Sequence, residues 1–327
     1  GGLPFRRRGR PVVPPHMNPP HPVIILVGAT GTGKSGVALN WARHHPVEIV
    51  NADASQVYRG LDIGTATPTA AERAEVPHHL FNIVEPDDPL DAGRYVQLAL
   101  PVFDDIVSRG RIPLLVGGTG LYVKALLYGL AEIPDVPVAV RRTLQEELAR
   151  VGVAALHATL MAVDPDSAGR ISPNDPQRIT RALEVFRHTG TPISEFQQRH
   201  GFAGKRREAL LLGLDVPREE HRKMLAQRIE AMFAQGFVAE VEGLLAQGWP
   251  STLRSFKALG YRAAMDLLAG RLSPDQARAQ ILSHHARYAK RQRTWFGKME
   301  DVLWFSPDDV APGEAAMLTF LQDHLGS

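Results

Sequence analysis

Val23-Ile24-Ile25-Leu26-Val27-Gly28-Ala29-Thr30-Gly31-Thr32-Gly33-Lys34-Ser35 decides the fold. Its first five residues are aliphatic without alternation, the pattern of a strand covered on both faces. The next eight fit G-x-x-x-x-G-K-[ST], and a helix-forming run, Lys34–Arg43, follows directly. Strand, glycine loop and helix in that order form a phosphate cradle. Glycines let the backbone wrap phosphate oxygens and turn its N–H groups inward, while Lys34 adds a point charge and the helix N-terminus its dipole. Ser35 offers a hydroxyl to Mg²⁺. The loop specifies phosphate but no reaction, because ATP, GTP or any diphosphate ester satisfies it.

Outward from this unit, strands are expected at Val47–Val50, Ile112–Val116 and Leu210–Val216. Helices are expected at Asp91–Ser108, with Leu98, Val102, Ile106 and Val107 at helical spacing, and at Leu121–Tyr128. The alternation predicts an α/β fold, a P-loop NTPase-like parallel sheet flanked by helices and joined by right-handed crossovers. Between the third and fourth strands the chain reads as helix alone. Val140–Val151 is one segment, and Pro176–His188 another, with Ile179, Ala182, Leu183 and Phe186 on one stripe. Asn174 or Asp175 caps the second, and Gly190 ends it. The expected organisation is a core at 22–138 and 205–315, a helical insertion domain at 139–204, and a disordered Pro/Arg-rich extension at 1–21.

The 327 residues carry 37 Lys+Arg against 35 Asp+Glu, a formal charge of +2, and no cysteine. Arg6, Arg7, Arg8 and Arg10 account for the surplus; from residue 11 onward there are 33 basic and 35 acidic groups. A uniformly basic nucleic-acid coat is excluded, while a local patch is not. Absence of cysteine excludes a disulfide scaffold, a thiolate zinc site and thiol catalysis, and fits a reducing cytoplasm. Residues 1–22 hold no apolar run of signal-peptide length, and Met17 is the expected natural start. The longest apolar runs are strand-sized, so no membrane span is expected.

Ligands of open parallel sheets bind beyond the carboxyl ends of the strands. The segments Asn51–Tyr58, Gly117–Gly120 and Asp215–Arg218 should therefore converge on the cradle. This makes Asp53 a candidate general base or metal-associated carboxylate, and Thr119 a donor to phosphate or a helix cap. Two acid-free stretches carry basic groups. Residues 243–265 hold Arg254, Lys257 and Arg262. Residues 276–299 hold Arg278, Arg287, Lys290, Arg291, Arg293 and Lys298, interleaved with Tyr288, Trp295 and Phe296. Basic residues among aromatics suit a surface that tracks an RNA strand. His78-His79 reads as structural, since adjacent side chains diverge. On these features alone the readings are an ATP-dependent small-molecule or nucleotide kinase, in which Asp53 activates a hydroxyl, and a nucleotide-gated RNA-binding module.

A resemblance narrows the choice. Gly28–Ser35, Asp53–Ala66 (Asp-Ala-Ser-Gln-Val-Tyr-Arg-Gly-Leu-Asp-Ile-Gly-Thr-Ala) and Leu115–Tyr122 (Leu-Val-Gly-Gly-Thr-Gly-Leu-Tyr) resemble the tRNA dimethylallyltransferases. So do Asn174–Arg178, Arg181–Val185, Leu259–Arg262, Ala289–Gln292 and Thr294–Phe296, in order across residues 22–305. The resemblance implies dimethylallyl diphosphate as donor, Mg²⁺ as cofactor, and as acceptor the exocyclic amine of adenosine 37 in the tRNA anticodon stem-loop. It implies catalytic roles for Asp53 as general base, Thr119 and Lys34. The diphosphate positions are Gly28, Ala29, Thr30, Gly31, Thr32, Gly33, Lys34 and Ser35, with Ser35 toward the metal. The tRNA-contacting positions are Asp53, Ala54, Ser55, Gln56, Thr119, Arg141, Gln177, Arg178, Ile179, Thr180, Arg181, Lys257, Arg262, Lys290, Arg291, Gln292 and Arg293. A member of bacterial type is expected, because no Cys/His zinc finger follows the core, and a cytoplasmic monomer is expected as well. Four positions depart from the family pattern: Ala29 stands for a usual Pro, Ala54 for a usual Ser, and Ala286 and Gly297 for arginines.

Overall fold

A computed structural model describes residues 21–131, 133–200 and 208–326; the expected extension at 1–21 lies almost wholly outside them. In chain order the strands are β1 (Val23–Gly28), β2 (Val47–Asn51), β3 (His78–His79), β4 (Ile112–Val116), β5 (Ala209–Leu214) and β6 (Leu303–Phe305). The helices are α1 (Lys34–His44), α2 (Ala70–Glu75), α3 (Ala92–Ser108), α4 (Gly120–Tyr128), α5 (Val138–Val163), α6 (Pro165–Arg170) and α7 (Pro176–Thr189). They continue with α8 (Ile193–His200), α9 (Arg218–Ala234), α10 (Phe237–Ala246), α11 (Tyr261–Leu268), α12 (Pro274–Phe296) and α13 (Ala311–Leu325).

All six strands are parallel, in the order β3-β2-β4-β1-β5-β6. The aliphatic run of β1 is central because it is buried on both faces, pairing Leu26 with Val116 on one side and Leu212 on the other. Ile24 and Leu26 pack into a core with Trp41, Leu114 and Phe305, which seats α1 and α13 against the sheet. The short strands β3 and β6 were not among the expected ones, since two or three residues carry no readable period.

Two compact units separate at residues 128 and 206. The helical unit spans 128–206, beginning earlier than the expected 139 because Ile133 and Val136 pack with Leu144, Leu156 and Leu160 in its core. Its longest helix is broken at Gly152 (φ 82°, ψ 167°), immediately after the end expected from sequence. Asp175 caps α7 by accepting from Arg178 N–H, and Gly190 closes it in the left-handed region. The second unit comprises 18–127 with 207–327, so α13 joins the sheet rather than trailing from it.

One helix face differs from the expected one. The buried residues of α3 are Ala92, Tyr95, Ala99, Phe103 and Ile106, while Leu98 stands 37% exposed. Tyr95 fixes this rotation: its ring stacks on Tyr122 at 3.9 Å, and its hydroxyl donates to Asn51 O at 2.6 Å.

Glu48 of β2 is buried and holds the sheet's opposite end, accepting from Arg109 and from His79 Nε2 at 2.7 Å, with Arg111 3.4 Å away. His79 is thus a partner of Glu48, and His78 Nδ1 lies 2.9 Å from Val76 O. Burial alone would raise the Glu48 pKa, but the bonds and charges of Arg109 and His79 outweigh it and hold the carboxyl below its usual value. Its stabilisation is therefore present above the unfolded carboxyl's pKa, about 4.3, and disappears as pH falls through the lower folded value. Glu48→Gln should cost about 1–3 kcal/mol at neutral pH. Urea unfolding of both proteins should show that gap narrowing below about pH 4.

Candidate active site

The loop after β1 is shaped by its own residues. Gly31 (φ 77°) and Gly33 (φ 88°) occupy the left-handed region, where a side chain would strain the turn. Thr32 Oγ donates to Ala29 O at 2.8 Å, and Lys34 Nζ to the same carbonyl at 2.7 Å. Beside the loop lies a cavity of about 330 Å³, which Thr30, Gly31, Gly33, Lys34 and Ser35 line. Gly28, Ala29 and Thr32 are buried behind it, so their part is to build the loop, not to face a ligand.

Asp53 lines the same cavity from the loop after β2. Its Oδ1 accepts from Ser55 N at 2.8 Å and Ser55 Oγ at 2.6 Å, while Asn51 Oδ1 accepts from Asp53 N at 2.8 Å. Among the described residues no donor is bonded to Oδ2, which is the oxygen left for chemistry. The turn after β4 closes against this loop. A Cβ on Gly117 would fall 2.2 Å from Ala52 C, so only glycine permits the approach. Thr119 N donates to Ala52 O at 3.1 Å, and Thr119 Oγ accepts from Ala54 N at 2.8 Å. Thr119 therefore fastens the Asp53 loop.

The expected fourth contribution is a correction. No residue of Asp215–Arg218 lines the cavity; the helix that follows does, through Arg228. Its Nε is buried without a hydrogen-bond partner, and burial lowers its pKa against the pull of Asp53. Sequence reading missed Arg228, although a signal existed. It sits on the buried stripe of α9, between Leu225 and Met232 at helical spacing, where a charge has no structural use. Burial also pushes the Lys34 ammonium down to about 8, with Asp53 drawing it up and Arg228 pushing it further down. Lys34 and Arg228 thus share a cavity with Asp53 and with Glu72, whose Oε2 is taken up by Thr69 N and Oγ, and its apolar lining includes Leu39, Ile49, Phe81 and Val116.

The positions expected to touch tRNA divide by burial. Lys257, Arg262, Lys290 and Arg291 are exposed, and Gln56 lines the cavity with Nε2 on Thr65 O and Ala66 O, both 3.0 Å. In the helical unit Gln177, Arg178 and Arg181 face solvent or its edge. Arg141 and Arg181 lie 3.8 and 3.6 Å from Glu184 Oε2. Ile179 and Thr180 are corrections: Ile179 is core, and Thr180 Oγ donates to Pro176 O at 2.8 Å. A contiguous motif on a helix must turn some residues inward. Gln292 is likewise buried, Arg293 is half-buried, and of the interleaved aromatics Trp295 is exposed while Phe296 is core.

Comparison with known proteins agrees with this geometry. A family model described as IPP transferase matches residues 56–299, and one described as isopentenyl transferase matches 21–78. The tRNA dimethylallyltransferase of Syntrophobacter fumaroxidans is 47% identical over 290 residues, 88% of this chain and 84% of that one. That of Geobacter sulfurreducens is 46% identical, covering 86% and 91%. The crystal structure of a full-length tRNA isopentenylpyrophosphate transferase from Bacillus halodurans superposes with a TM-score of 0.66 at 33% identity, covering 93% and 97%. A eukaryotic dimethylallyltransferase acting on tRNA gives 0.79 at 26% identity, covering 93% and 80%.

Lys34 carries its charge only below about pH 8. Calorimetric affinity for inorganic pyrophosphate should therefore fall as pH rises through that value, whereas Lys34→Arg should flatten the profile.

Proposed function

As a chain that belongs to the tRNA dimethylallyltransferase family, this protein transfers a dimethylallyl group to tRNA, and we propose how its residues do so. The donor is dimethylallyl diphosphate, its diphosphate seated on the loop 30–35 against Lys34 and Arg228. The acceptor is the N6 amine of adenosine 37 in the anticodon stem-loop. One observation carries the reading: the Asp53 carboxylate, with one oxygen taken up by Ser55, shares a cavity with two cations, one of which, Arg228, has a buried Nε without a hydrogen-bond partner. The C–O bond of the donor breaks as C–N forms, the pair on oxygen leaving with the diphosphate. The amine proton passes to Asp53.

Each residue's part follows from its chemistry. An adenine amine is a poor nucleophile because its lone pair is delocalised, so a positioned base contributes about 10²–10⁴-fold. Lys34, Arg228 and the loop amides stabilise the departing charge, and act strongly because the site is partly desolvated. Thr119 keeps the Asp53 loop against the β4 turn. The apolar wall of Leu39, Ile49 and Phe81 suits a five-carbon chain and excludes water from the reacting carbon.

Mg²⁺ fits this donor set. Among the described residues no group of three His, Asp or Glu could cage a metal. A hard cation that keeps its waters and binds through phosphate needs only Ser35, with Asp53 nearby. When bound it neutralises diphosphate charge. The kinase alternative is not favoured by the relatives.

The acceptor base lies in an RNA loop and must leave its stack to reach Asp53. We assign the grip to Lys257, Arg262, Lys290 and Arg291 of the sheet unit, and to Arg141, Gln177, Arg178 and Arg181 of the helical unit. Among the described residues no helix is long and apolar enough to cross a membrane. A cytoplasmic monomer is the state we propose.

Unmodified tRNA incubated with labelled dimethylallyl diphosphate should acquire label without ATP, and Asp53→Asn should bind tRNA normally while losing about 10²-fold or more in kcat. Near-normal turnover in that variant would remove Asp53 from the base role. Lys290→Ala with Arg291→Ala should weaken tRNA binding and reduce the slope of log K against log salt by about 0.7–0.9 for each phosphate no longer neutralised. An unchanged slope places those side chains away from the RNA.

A further inference from the structure

Residue 30 of the cradle is held at both ends by groups from outside its own loop. Thr30 N donates to Gln292 Oε1 at 2.7 Å, and Gln292 Nε2 donates to Gly118 O at 3.0 Å. One buried amide, 4% exposed, thus links the loop after β1 to the turn after β4. The fit has no slack, since a Cβ on Gly118 would fall 2.1 Å from Gln292 Nε2. At its other end Thr30 O lies 2.7 Å from His221 Nε2, and Arg293 Nη2 lies 2.7 Å from His221 Nδ1. A carbonyl only accepts and a guanidinium only donates, so His221 is the neutral tautomer with its proton on Nε2. Burial lowers its pKa in agreement. Arg293 is itself fixed on Val216 O at 3.0 Å, with Asp215 at 3.8 Å.

We infer that Gln292, with His221 and Arg293 behind it, is a positioning brace for the diphosphate cradle and not a contact to tRNA. The inference deepens the donor-site reading above and rests on it. Gln292 reaches the cavity wall but is only 4% exposed, and both halves of its amide are already engaged by Thr30 and Gly118. Its neighbours Lys290 and Arg291 are exposed on the same helix, so sequence adjacency joined two different tasks. The brace acts by holding the loop in one shape before the anion arrives. Without it the remaining amides lose their common focus, and the ordering must be supplied at binding.

Three variants of the full chain test this: Gln292→Met, which keeps length and removes both bonds, His221→Leu, and the double variant. Circular dichroism melting monitors their folding. For Gln292→Met the Kd of inorganic pyrophosphate with Mg²⁺, and the KM of dimethylallyl diphosphate, should rise about tenfold. The tRNA Kd and its salt slope should stay within about twofold of wild type, and kcat should change less than KM. His221→Leu should act in the same direction, with the double variant less than multiplicative because both changes release one residue. A rise in tRNA Kd with pyrophosphate affinity unchanged would overturn the brace and return Gln292 to the RNA surface. Unchanged pyrophosphate affinity in both single variants would equally overturn it. Lys34→Ala separates the underlying reading: if it leaves pyrophosphate affinity intact, the donor site lies elsewhere and the brace falls with it.

Discussion

Two positive charges, Lys34 and Arg228, set close to the Asp53 carboxylate in one cavity are the condition on which the rest of this structure depends. Lys34 sits well below its normal pKa, and Arg228 keeps a buried N–H without an acceptor. A folded chain tolerates a buried charge only when something answers it. Asp53 answers for part of that charge, and in the function proposed above the donor's diphosphate answers for the remainder. On that proposal the arrangement that costs stability in the free protein supplies binding energy for the anion. Gly117 lets backbone close on backbone there, Gly118 leaves room for the Gln292 amide, and Thr119, Gln292 and His221 keep the closure in register.

The two oxygens of Asp53 differ: Oδ1 accepts from Ser55 N and Oγ, which fixes the carboxylate's direction, and the proposed base role falls to Oδ2. In the transfer proposed above, negative charge grows on the diphosphate as the amine proton arrives on Asp53.

The fold was legible where hydrophobic runs and glycine spacing state backbone requirements directly. The strands β1, β2, β4 and β5 and the cradle all follow from such runs. The face of α3 was not legible from aliphatic spacing, because Tyr95 is chosen for a hydroxyl bond to Asn51 O and a stack on Tyr122. At the site, Asp53 and Lys34 were readable because their loops follow strands. Arg228 was not, since its importance lies in what surrounds it and not in its neighbours along the chain. Ile179, Thr180 and Gln292 were read as RNA contacts because a matching motif does not say which way each residue points. Gln292 meets Thr30 across 262 positions of sequence, a separation no local pattern records.

The helix α12 begins at a fixed point, where Ser273 and Gln276 form a capping box around Pro274. Each residue beyond it advances the side chain by about 100°. Adding or deleting one residue between that cap and Gln292 would swing a charged neighbour into the place of the buried amide, and the amide out to solvent. The number of residues in this stretch is therefore as tightly constrained as their identity. Substitutions on the exposed side of α12, at Lys290 or Arg291, leave that register intact, whereas a change of length after the cap does not.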